Sequence, residues 1–239
     1  MGFMDDKYLL ESEVSLAIYS SVKNLPVIDP HNHADVKEIA ENKNYSDAWQ
    51  VFAATDHYVW EVMRKRGVEE KFITGNASPK EKWLELARVM PEIAGNPVYE
   101  WIHLDLRRRF DIREMLCAAS GEAIWEKVNQ KLAEPDFKPL ELLKKMNVEV
   151  MCSTDDPADT LEYHDQVNAQ AGRTIIRPTW RPDKAMRIHF PDFKEYIEKL
   201  GKRFNTSIDN VKTLVEVLQK SHDFFAEKGC RASDHDTPH

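Results

Sequence analysis

The sequence predicts an α/β protein: a partial (β/α)8 TIM-like barrel of about four parallel strands, with a large helical insertion after the first strand. A short apolar segment at residues 25–30 leads directly into a polar cluster, and strands alternate with helices from residue 147 onwards. Such alternation is typical of parallel strands joined by helical crossovers. We expect an N-terminal helix and first strand over residues 1–33, a helical insertion over 34–146, and strands two to four over 147–239.

The composition is that of a globular chain of 239 residues, with 42% hydrophobic and 10% aromatic residues. A net charge of -8 argues against a nucleic-acid partner. No apolar stretch approaches the ~18 residues of a membrane span, so no membrane partner is expected. The three cysteines are widely spaced and the N-terminus lacks the apolar core of a signal peptide, which favours a reducing, cytoplasmic location.

The first two regions differ in their periodicity. Helical spacing of apolar residues over 8–23 predicts an amphipathic helix, and Leu25–Asp29 predicts a buried strand with its proline near the start. The insertion carries helical periodicity in several pieces and predicts no strand; examples are residues 48–66, 79–89, 98–110 and 121–132.

The third region predicts three more strands, at residues 148–152, 174–179 and 229–233. Helices are predicted between them at residues 158–171, 191–204 and 207–228. A complete barrel of this kind has eight strands, and only four are predicted here. We therefore expect an incomplete barrel, either a truncated chain or half of something larger.

Two histidines, His31 and His33, follow the first predicted strand. Alternate residues of a strand point to the same side, so both imidazoles can converge on one divalent cation, and histidine is a common zinc ligand. The alternative is a turn that carries two surface histidines.

A second group, Asp56-His57-Tyr58, lies in the insertion. A histidine beside a tyrosine can donate hydrogen bonds to a substrate oxygen or transfer a proton. The alternative is a helix start capped by Thr55 or Asp56, and the residues alone favour this alternative.

Polar residues also follow the later strands. Arg181 can bind a carboxylate in bidentate fashion, or it can form a structural pair with Asp183. Asp155 can serve as an acid or base, a metal ligand or a hydroxyl acceptor, although helix capping before Pro157 is favoured for at least one neighbouring aspartate. His235 is predicted at the polar rim after the fourth strand.

Six segments together resemble the uronate isomerase (glucuronate isomerase) family of the amidohydrolase superfamily, and the resemblance covers essentially the whole chain. Six ordered segments are far more specific than any one of them. In chain order they are LPVIDPHNH (25–33), ATDHYVWEVMR (54–64), EKW (81–83), STDDP (153–157), RPTWRPD (177–183) and ASDH (232–235).

The resemblance implies aldose–ketose isomerisation of a small sugar acid, D-glucuronate to D-fructuronate and D-galacturonate to D-tagaturonate, in a distorted barrel. It implies a divalent metal, usually zinc, held by His31 and His33. His57 and Tyr58 would contact substrate or handle protons, and Arg181 would bind the uronate carboxylate. Asp155, Asp183 and His235, which follow the predicted strands, complete the expected substrate-binding set.

The resemblance also implies groups that this chain is expected to lack. In the superfamily, an aspartate after the eighth strand binds the metal, and a nearby arginine serves the site. Activity of the isolated chain is therefore in question, and the base that removes the C2 proton stays open among a tyrosine, a carboxylate and a metal-bound hydroxide. The alternatives are a metal-dependent hydrolase of the superfamily, and a non-catalytic half barrel that needs a homo-oligomeric partner or a missing C-terminal half.

Overall fold

The computed structural model describes residues 4–5, 7–170, 172 and 174–236. Three strands form a parallel sheet in the order β1-β2-β3: β1 (Val27–Asp29), β2 (Val148–Cys152) and β3 (Ile175–Arg177). Most of the remaining chain is helical: α1 (Glu13–Val22), α2 (Val36–Glu41), α3 (Ala48–Phe52), α4 (His57–Lys65), α5 (Pro79–Val89), α6 (Pro97–Phe110), α7 (Gly121–Leu132), α8 (Pro139–Lys145), α9 (Glu162–Gln170), α10 (Asp183–Met186), α11 (Phe193–Arg203) and α12 (Val211–Glu227). Short 3-10 turns occupy Glu70–Phe72, Met90–Ile93 and Pro135–Phe137.

The chain divides into two compact units, and each unit is built from two stretches of sequence. The helical unit comprises Met1–Leu25 and Lys43–Lys145, and the sheet unit comprises Pro26–Asn42 and Met146–His239. The predicted regions placed the N-terminal helix with the first strand, whereas the contacts place α1 in the helical unit. The second predicted boundary, at residues 146 and 147, lies next to the observed one.

The helical unit is organised around α5. Ser78 caps this helix by accepting a hydrogen bond from the Glu81 amide, and the Glu81 carboxylate bonds back to the Ser78 amide. Trp83, one turn further on, is fully buried, and its indole N–H donates to the carbonyl of Gly121 at 2.9 Å. A side chain at Gly121 would meet Ala87, so the absent Cβ lets α7 approach α5 closely.

The sheet unit is centred on β2. Ile28 pairs with Val150 on one side, and Ile176 pairs with Met151 on the other. Met151 and Ile176 are buried, as expected for a parallel strand covered by crossover helices. The strand at residues 148–152 is confirmed at both ends. Between β1 and β2, where the structure describes every residue, the chain forms helices and no strand, as the periodicity predicted.

The first strand differs from the prediction in its burial. Ile28 is 67% exposed and Val27 is 44% exposed, although the apolar run predicted a buried strand. With β1 at the margin of a three-stranded sheet, its outer edge has no partner strand among the described residues. The prediction of a buried first strand is therefore wrong for Val27 and Ile28.

The fourth predicted strand is wrong. Residues 229–233 contribute one isolated parallel bridge, between Ser233 and Trp180, with hydrogen bonds that involve Trp180 on either side of it. Pro178 has no amide hydrogen and interrupts the ladder beyond β3, and Gly229 leaves α12 in a left-handed conformation with φ of 91°. The sheet of the described residues thus has three strands rather than about four.

Three predicted helices begin a turn or more later than expected, including the one predicted over 207–228, which begins at Val211, and the helical piece predicted over 48–66 is divided into α3 and α4. The helix at 8–23 begins at Glu13, after a capping box in which Ser12 and Ser15 bond to each other's amides. The helix at 158–171 begins at Glu162, because Asp156 and Asp159 form a local turn first. Among the described residues, no helix has both the length and the apolar character needed to cross a membrane.

Candidate active site

The loop after β1 brings His31 and His33 together. Their Nε2 atoms lie 2.9 Å apart, and the two rings meet edge to face. Asp29 shapes the loop, because its carboxylate accepts the His31 amide at 3.2 Å and the Asn32 side-chain amide at 2.8 Å. The Thr154 hydroxyl, from the loop after β2, donates to the Asn32 carbonyl at 2.9 Å. The predicted convergence of the two imidazoles is present.

One carboxylate, Asp234, contacts both His31 and Arg181. Its Oδ2 atom lies 3.1 Å from His31 Nδ1 and 3.3 Å from Arg181 Nη1. This atom is buried, and neither contact meets the angular requirement of a hydrogen bond. The contact to Nδ1 leaves Nε2 of His31 facing His33. The imidazole pair and the guanidinium therefore occupy one continuous polar site at the carboxyl ends of the strands.

Arg181 and Asp183 form a tight pair in the loop after β3. The Arg181 Nε–H donates to Asp183 Oδ2 at 2.6 Å. Burial disfavours the charged guanidinium, but Asp183 and Asp234 outweigh this cost and raise the pKa of Arg181. Burial likewise opposes ionisation of Asp183, while Arg181 and the Asp236 amide lower the pKa of Asp183. Both side chains are thus held in their charged forms, as the structural-pair alternative predicted.

Within the part of the chain that the structure describes, the other oxygen of Asp183 has no hydrogen-bond partner. Asp183 Oδ1 is buried, and the nearest ionisable contact described for it is His235 Nδ1, at 3.7 Å. A buried carboxylate oxygen without a donor costs free energy, which a hydroxyl group of a bound ligand would recover. Asp183 and His235 are therefore brought together as predicted, in a geometry that suits a hydroxyl-bearing ligand.

A cavity of about 230 Å³ opens beside this pair. Arg181, Lys184 and Arg187 line it together with Thr154 and acidic side chains. Lys184 Nζ lies 3.3 Å from Asp156 Oδ2, and Arg187 donates to Asp236 at 2.9 Å. Three cations around one small cavity, each already near a carboxylate, can accept a small carboxylate ligand by exchanging partners.

Asp155 also lines this cavity, although it is largely buried. Its Oδ2 atom accepts hydrogen bonds from the Ser153 hydroxyl at 2.8 Å and the Thr179 amide at 3.1 Å. Burial raises the pKa of Asp155, and these two hydrogen bonds oppose the rise. Its predicted role in substrate binding stays a prediction, and its hydrogen bonds are to the protein itself.

The residues after β1 fit a divalent metal as two of its ligands. Two ring nitrogens that face one another at 2.9 Å can turn toward a shared cation, with Asp234 behind the first ring. Across the described part of the chain, no group of three or more His, Cys, Asp or Glu side chains is arranged to hold a metal ion. A structural zinc site takes four ligands and a catalytic one takes three, so this pair is an incomplete set.

His57 and Tyr58 lie in the helical unit, whereas the other six predicted site residues lie in the sheet unit. Asp56 caps α4 by accepting the Tyr58 and Val59 amides, which confirms the capping alternative for Asp56. The His57 and Tyr58 rings stack obliquely, with centroids 4.2 Å apart, and Tyr58 is 52% exposed. Both side chains are available to a ligand, and their catalytic roles stay predictions.

Sequence reasoning missed three residues of this site. Asp234, Lys184 and Arg187 were not among the predicted ligand contacts, although all three follow predicted strands. The signal for Asp234 was its place between Ser233 and His235, at the edge where the other strands end. For Lys184 and Arg187, the signal was a concentration of cations after Arg181.

The chain matches the glucuronate isomerase family model over residues 1–239. It is 48% identical over 233 residues to the uronate isomerase of Thermotoga petrophila, covering 98% of this chain and 51% of that protein. It is 41% identical over 236 residues to the uronate isomerase of Shouchella clausii, covering 98% and 50% of the two. The chain thus spans about half the length of the curated relatives it matches.

Solved structures agree with the sequence matches. The crystal structure of uronate isomerase from Thermotoga maritima superimposes with a TM-score of 0.94 at 48% identity, over 98% of this chain and 52% of that one. Glucuronate isomerase from Caulobacter crescentus shares the fold with a TM-score of 0.85 at 24% identity, over 92% and 47%. With a family match along its whole length, the chain belongs to the uronate (glucuronate) isomerase family.

Proposed function

We propose that this chain supplies the carboxylate-binding part and two metal ligands of a uronate isomerase active site. The reaction is the interconversion of D-glucuronate with D-fructuronate, and of D-galacturonate with D-tagaturonate. The observation that carries the proposal is the contact of Asp234 with both His31 and Arg181. It supports a site in which one ligand reaches the imidazole pair and the guanidinium together.

The uronate carboxylate binds at Arg181. An incoming carboxylate shares the guanidinium with Asp183 and Asp234, and Lys184 and Arg187 add positive charge around the cavity. Anchoring the end of the sugar that does not react orients the C1–C2 end for chemistry. The unpartnered oxygen of Asp183, with His235 beside it, accepts a sugar hydroxyl.

The reaction moves one proton from C2 to C1 and one from the C2 hydroxyl to the C1 oxygen, so that C1 is reduced from an aldehyde to an alcohol and C2 is oxidised from an alcohol to a ketone. His57 and Tyr58 are the groups of this chain that we assign to proton handling, because both can donate and accept and both are exposed. Negative charge develops on a substrate oxygen in the enediol-like intermediate. A hydroxyl or imidazole donor lowers the energy of that charge.

His31 and His33 hold the divalent ion, which we take to be zinc. When bound, the ion would supply electrostatic stabilisation of a substrate oxygen. Asp234 keeps the His31 ring turned so that Nε2 faces His33, which is the role carboxylates commonly play behind a ligating histidine.

We further propose that turnover needs residues beyond those of this chain. The support is the incomplete ligand set of the described residues and the coverage of about half of each curated relative. A remaining half, or another copy of the chain, is the partner, and the cytoplasm is the location that the three free thiols favour.

Turnover of the short chain and of a chain extended to the length of its relatives tests this proposal. Both are incubated with Zn²⁺ and D-glucuronate, and formation of the keto sugar is followed. We expect turnover by the extended chain and little or none by the short one. Turnover by the short chain alone would remove the requirement for a partner, and turnover by neither would count against the isomerase assignment.

Replacing Arg181 tests the carboxylate site. In the extended chain, Arg181→Met is expected to raise KM for uronates more than for the corresponding neutral sugars, because only the uronates lose an ionic contact. Arg113→Met, at an exposed arginine of the helical unit, is the control. Equal changes for charged and neutral sugars would exclude Arg181 as the carboxylate ligand.

A further inference from the structure

A buried polar cluster lies behind the Arg181 loop. Ser153 is 1% exposed, His164 is 4% exposed and Asp155 is 9% exposed. The Ser153 hydroxyl donates to Asp155 Oδ2 at 2.8 Å and lies 2.8 Å from His164 Nε2. His164 comes from α9, whereas the other two residues follow β2. The cluster therefore ties a crossover helix to the loop at the end of the central strand.

The cluster is not a nucleophilic triad. In such a triad the histidine stands between the serine and the acid, and the serine hydroxyl faces the substrate. Here the buried Ser153 hydroxyl bridges His164 and Asp155 at 2.8 Å to each, and His164 Nε2 also lies 3.5 Å from Asp155 Oδ1. The arrangement suits the positioning of neighbouring segments and does not suit nucleophilic attack on a substrate.

The hydrogen-bond directions specify the state of the histidine. A serine hydroxyl has one proton, and two oxygen acceptors lie within reach of Ser153: Asp155 Oδ2 at 2.8 Å and the Arg177 carbonyl at 3.2 Å. With that proton directed to either oxygen, His164 Nε2 donates to the Ser153 oxygen, which places the ring proton on Nε2. Burial lowers the pKa of His164 to about 4, so the ring is neutral near pH 7. The cluster thus calls for one tautomer of a neutral imidazole.

Asp155 passes this restraint to the next loop through both its side chain and its main chain. Its carboxylate accepts the Thr179 amide at 3.1 Å, its amide donates to the Thr179 carbonyl at 3.0 Å, and its carbonyl accepts the Arg181 amide at 3.0 Å. Asp155 therefore holds the main chain of Arg181, and Ser153 and His164 hold the side chain of Asp155.

We propose that His164 is a positioning residue which, through Ser153 and Asp155, holds the segment 179–181 and with it the Arg181 guanidinium. The inference rests on the proposed function only for the task of Arg181, which is to bind a carboxylate. The positioning itself is a property of the free protein and is measured without substrate. Asp155 acts here on the protein rather than on the ligand.

Three variants of the chain separate positioning from general stability. His164→Leu removes the donor, and His164→Gln keeps an amide donor near the place of Nε2. Val167→Ala is the matched control, because Val167 is fully buried in the same helix and lies outside the cluster. Amide hydrogen exchange at Thr179 and Arg181 is measured together with the NMR signal of the Arg181 Nε–H, which bonds to Asp183.

We expect His164→Leu to speed exchange at these two amides by roughly tenfold or more relative to Val167→Ala at equal stability, since a buried partner loses its donor. The Arg181 Nε–H signal shifts or disappears in His164→Leu. His164→Gln restores both readouts. In the extended chain, we expect a higher Kd for D-glucuronate in His164→Leu than in Val167→Ala, and a restored Kd in His164→Gln.

Equal exchange in His164→Leu and Val167→Ala, or no rescue by His164→Gln, would overturn the inference. If His164→Leu does not fold, the ring nitrogen shifts of His164 in the unaltered chain decide the matter. A proton on Nε2 supports the inference, and a proton on Nδ1 overturns it. The amide exchange and ring nitrogen measurements use no sugar. Failure of the chain to bind uronates would therefore leave their result standing and would count against the proposed function alone.

Discussion

At the scale of single residues, Asp234 shows how one carboxylate can serve two neighbours. The same oxygen approaches His31 at 3.1 Å and Arg181 at 3.3 Å. A carboxylate between an imidazole and a guanidinium favours one orientation of the imidazole ring and the charged form of the guanidinium. The positions of both functional side chains therefore depend on one residue that follows a different part of the sheet.

Replacing this carboxylate tests that dependence. Asp234→Asn is expected to weaken Zn²⁺ binding by roughly tenfold, since loss of a carboxylate behind a ligating histidine has costs of this order. Competition with a chromogenic chelator measures the affinity. Asp223→Asn, at the exposed pair formed with His222, should leave the affinity unchanged. Equal effects of both variants would contradict the assigned role of Asp234.

The buried His164 predicts a dependence of stability on pH. The unfolded chain takes up a proton at the ordinary histidine pKa of about 6.5, whereas the folded protein resists protonation until about pH 4. The unfolded state therefore binds more protons in this window, and folding stability falls as the pH falls through it. The expected loss for this group is about 3 kcal/mol by pH 4.

Urea unfolding of the chain at pH 7 and at pH 4.5 measures this loss, with His164→Gln as the reference. Asp155, whose pKa burial raises, gains a proton more readily in the folded state and offsets part of the loss. Because Asp155 is present in both proteins, their difference isolates His164. A pH dependence that is identical in the two proteins would show that His164 does not contribute.

Sequence spacing was sufficient to predict some of these contacts and insufficient for others. His31 and His33 are separated by one residue in the loop just after β1, so a short local segment brings their rings together. The contact of His31 with Asp234 depends on where the chain returns after α12, which no local pattern encodes. The Ser153–His164 bond likewise depends on how a crossover helix is placed.

At the scale of elements, the sequence predicted the centres of helices and strands better than it predicted their ends. β2 matches its prediction at every residue, because a run of apolar and β-branched residues is bounded by polar turns. α9 begins later than predicted, because Asp156 and Asp159 hydrogen-bond to nearby amides and Leu161 adopts a left-handed conformation with φ of 59°. Side-chain competition for the main chain moved that boundary.

The capping box of α5 offers an element-scale test. Ser78→Ala removes the acceptor for the Glu81 amide and is expected to cost about 1 kcal/mol of unfolding free energy. Urea unfolding of the whole chain, followed by the summed fluorescence of its six tryptophans, measures this change in unfolding free energy. Ser21→Ala, at an exposed serine that bonds only locally, is the control. A stability equal to that of the unaltered chain would show that the cap contributes nothing.

At the scale of the whole molecule, β1 leaves a strand edge without a partner among the described residues. Exposed apolar residues beside an open edge favour pairing with another chain. Ile28 is the most exposed residue of this strand, at 67%. Together with the coverage of about half of each curated relative, this predicts association through the open edge.

Ile28→Lys is expected to reduce self-association, because a buried ammonium group would disfavour edge-to-edge contact. Sedimentation velocity over a range of protein concentrations measures it. The free energy of unfolding should change by less than about 0.5 kcal/mol, since the side chain is exposed. Ile188→Lys, at a residue that is 75% exposed and outside the strands, is the control. Equal self-association of the two variants would argue against association through the open edge of β1.

The bond from the Thr154 hydroxyl to the Asn32 carbonyl has a consequence for protein design. Because the acceptor is a main-chain atom, the bond would survive any replacement at position 32 that keeps the backbone path. The chemical requirement rests on position 154 alone. Transplanting the His-x-His turn into another parallel sheet would therefore call for a hydroxyl-bearing residue on the adjacent strand's loop, carried over as part of the graft.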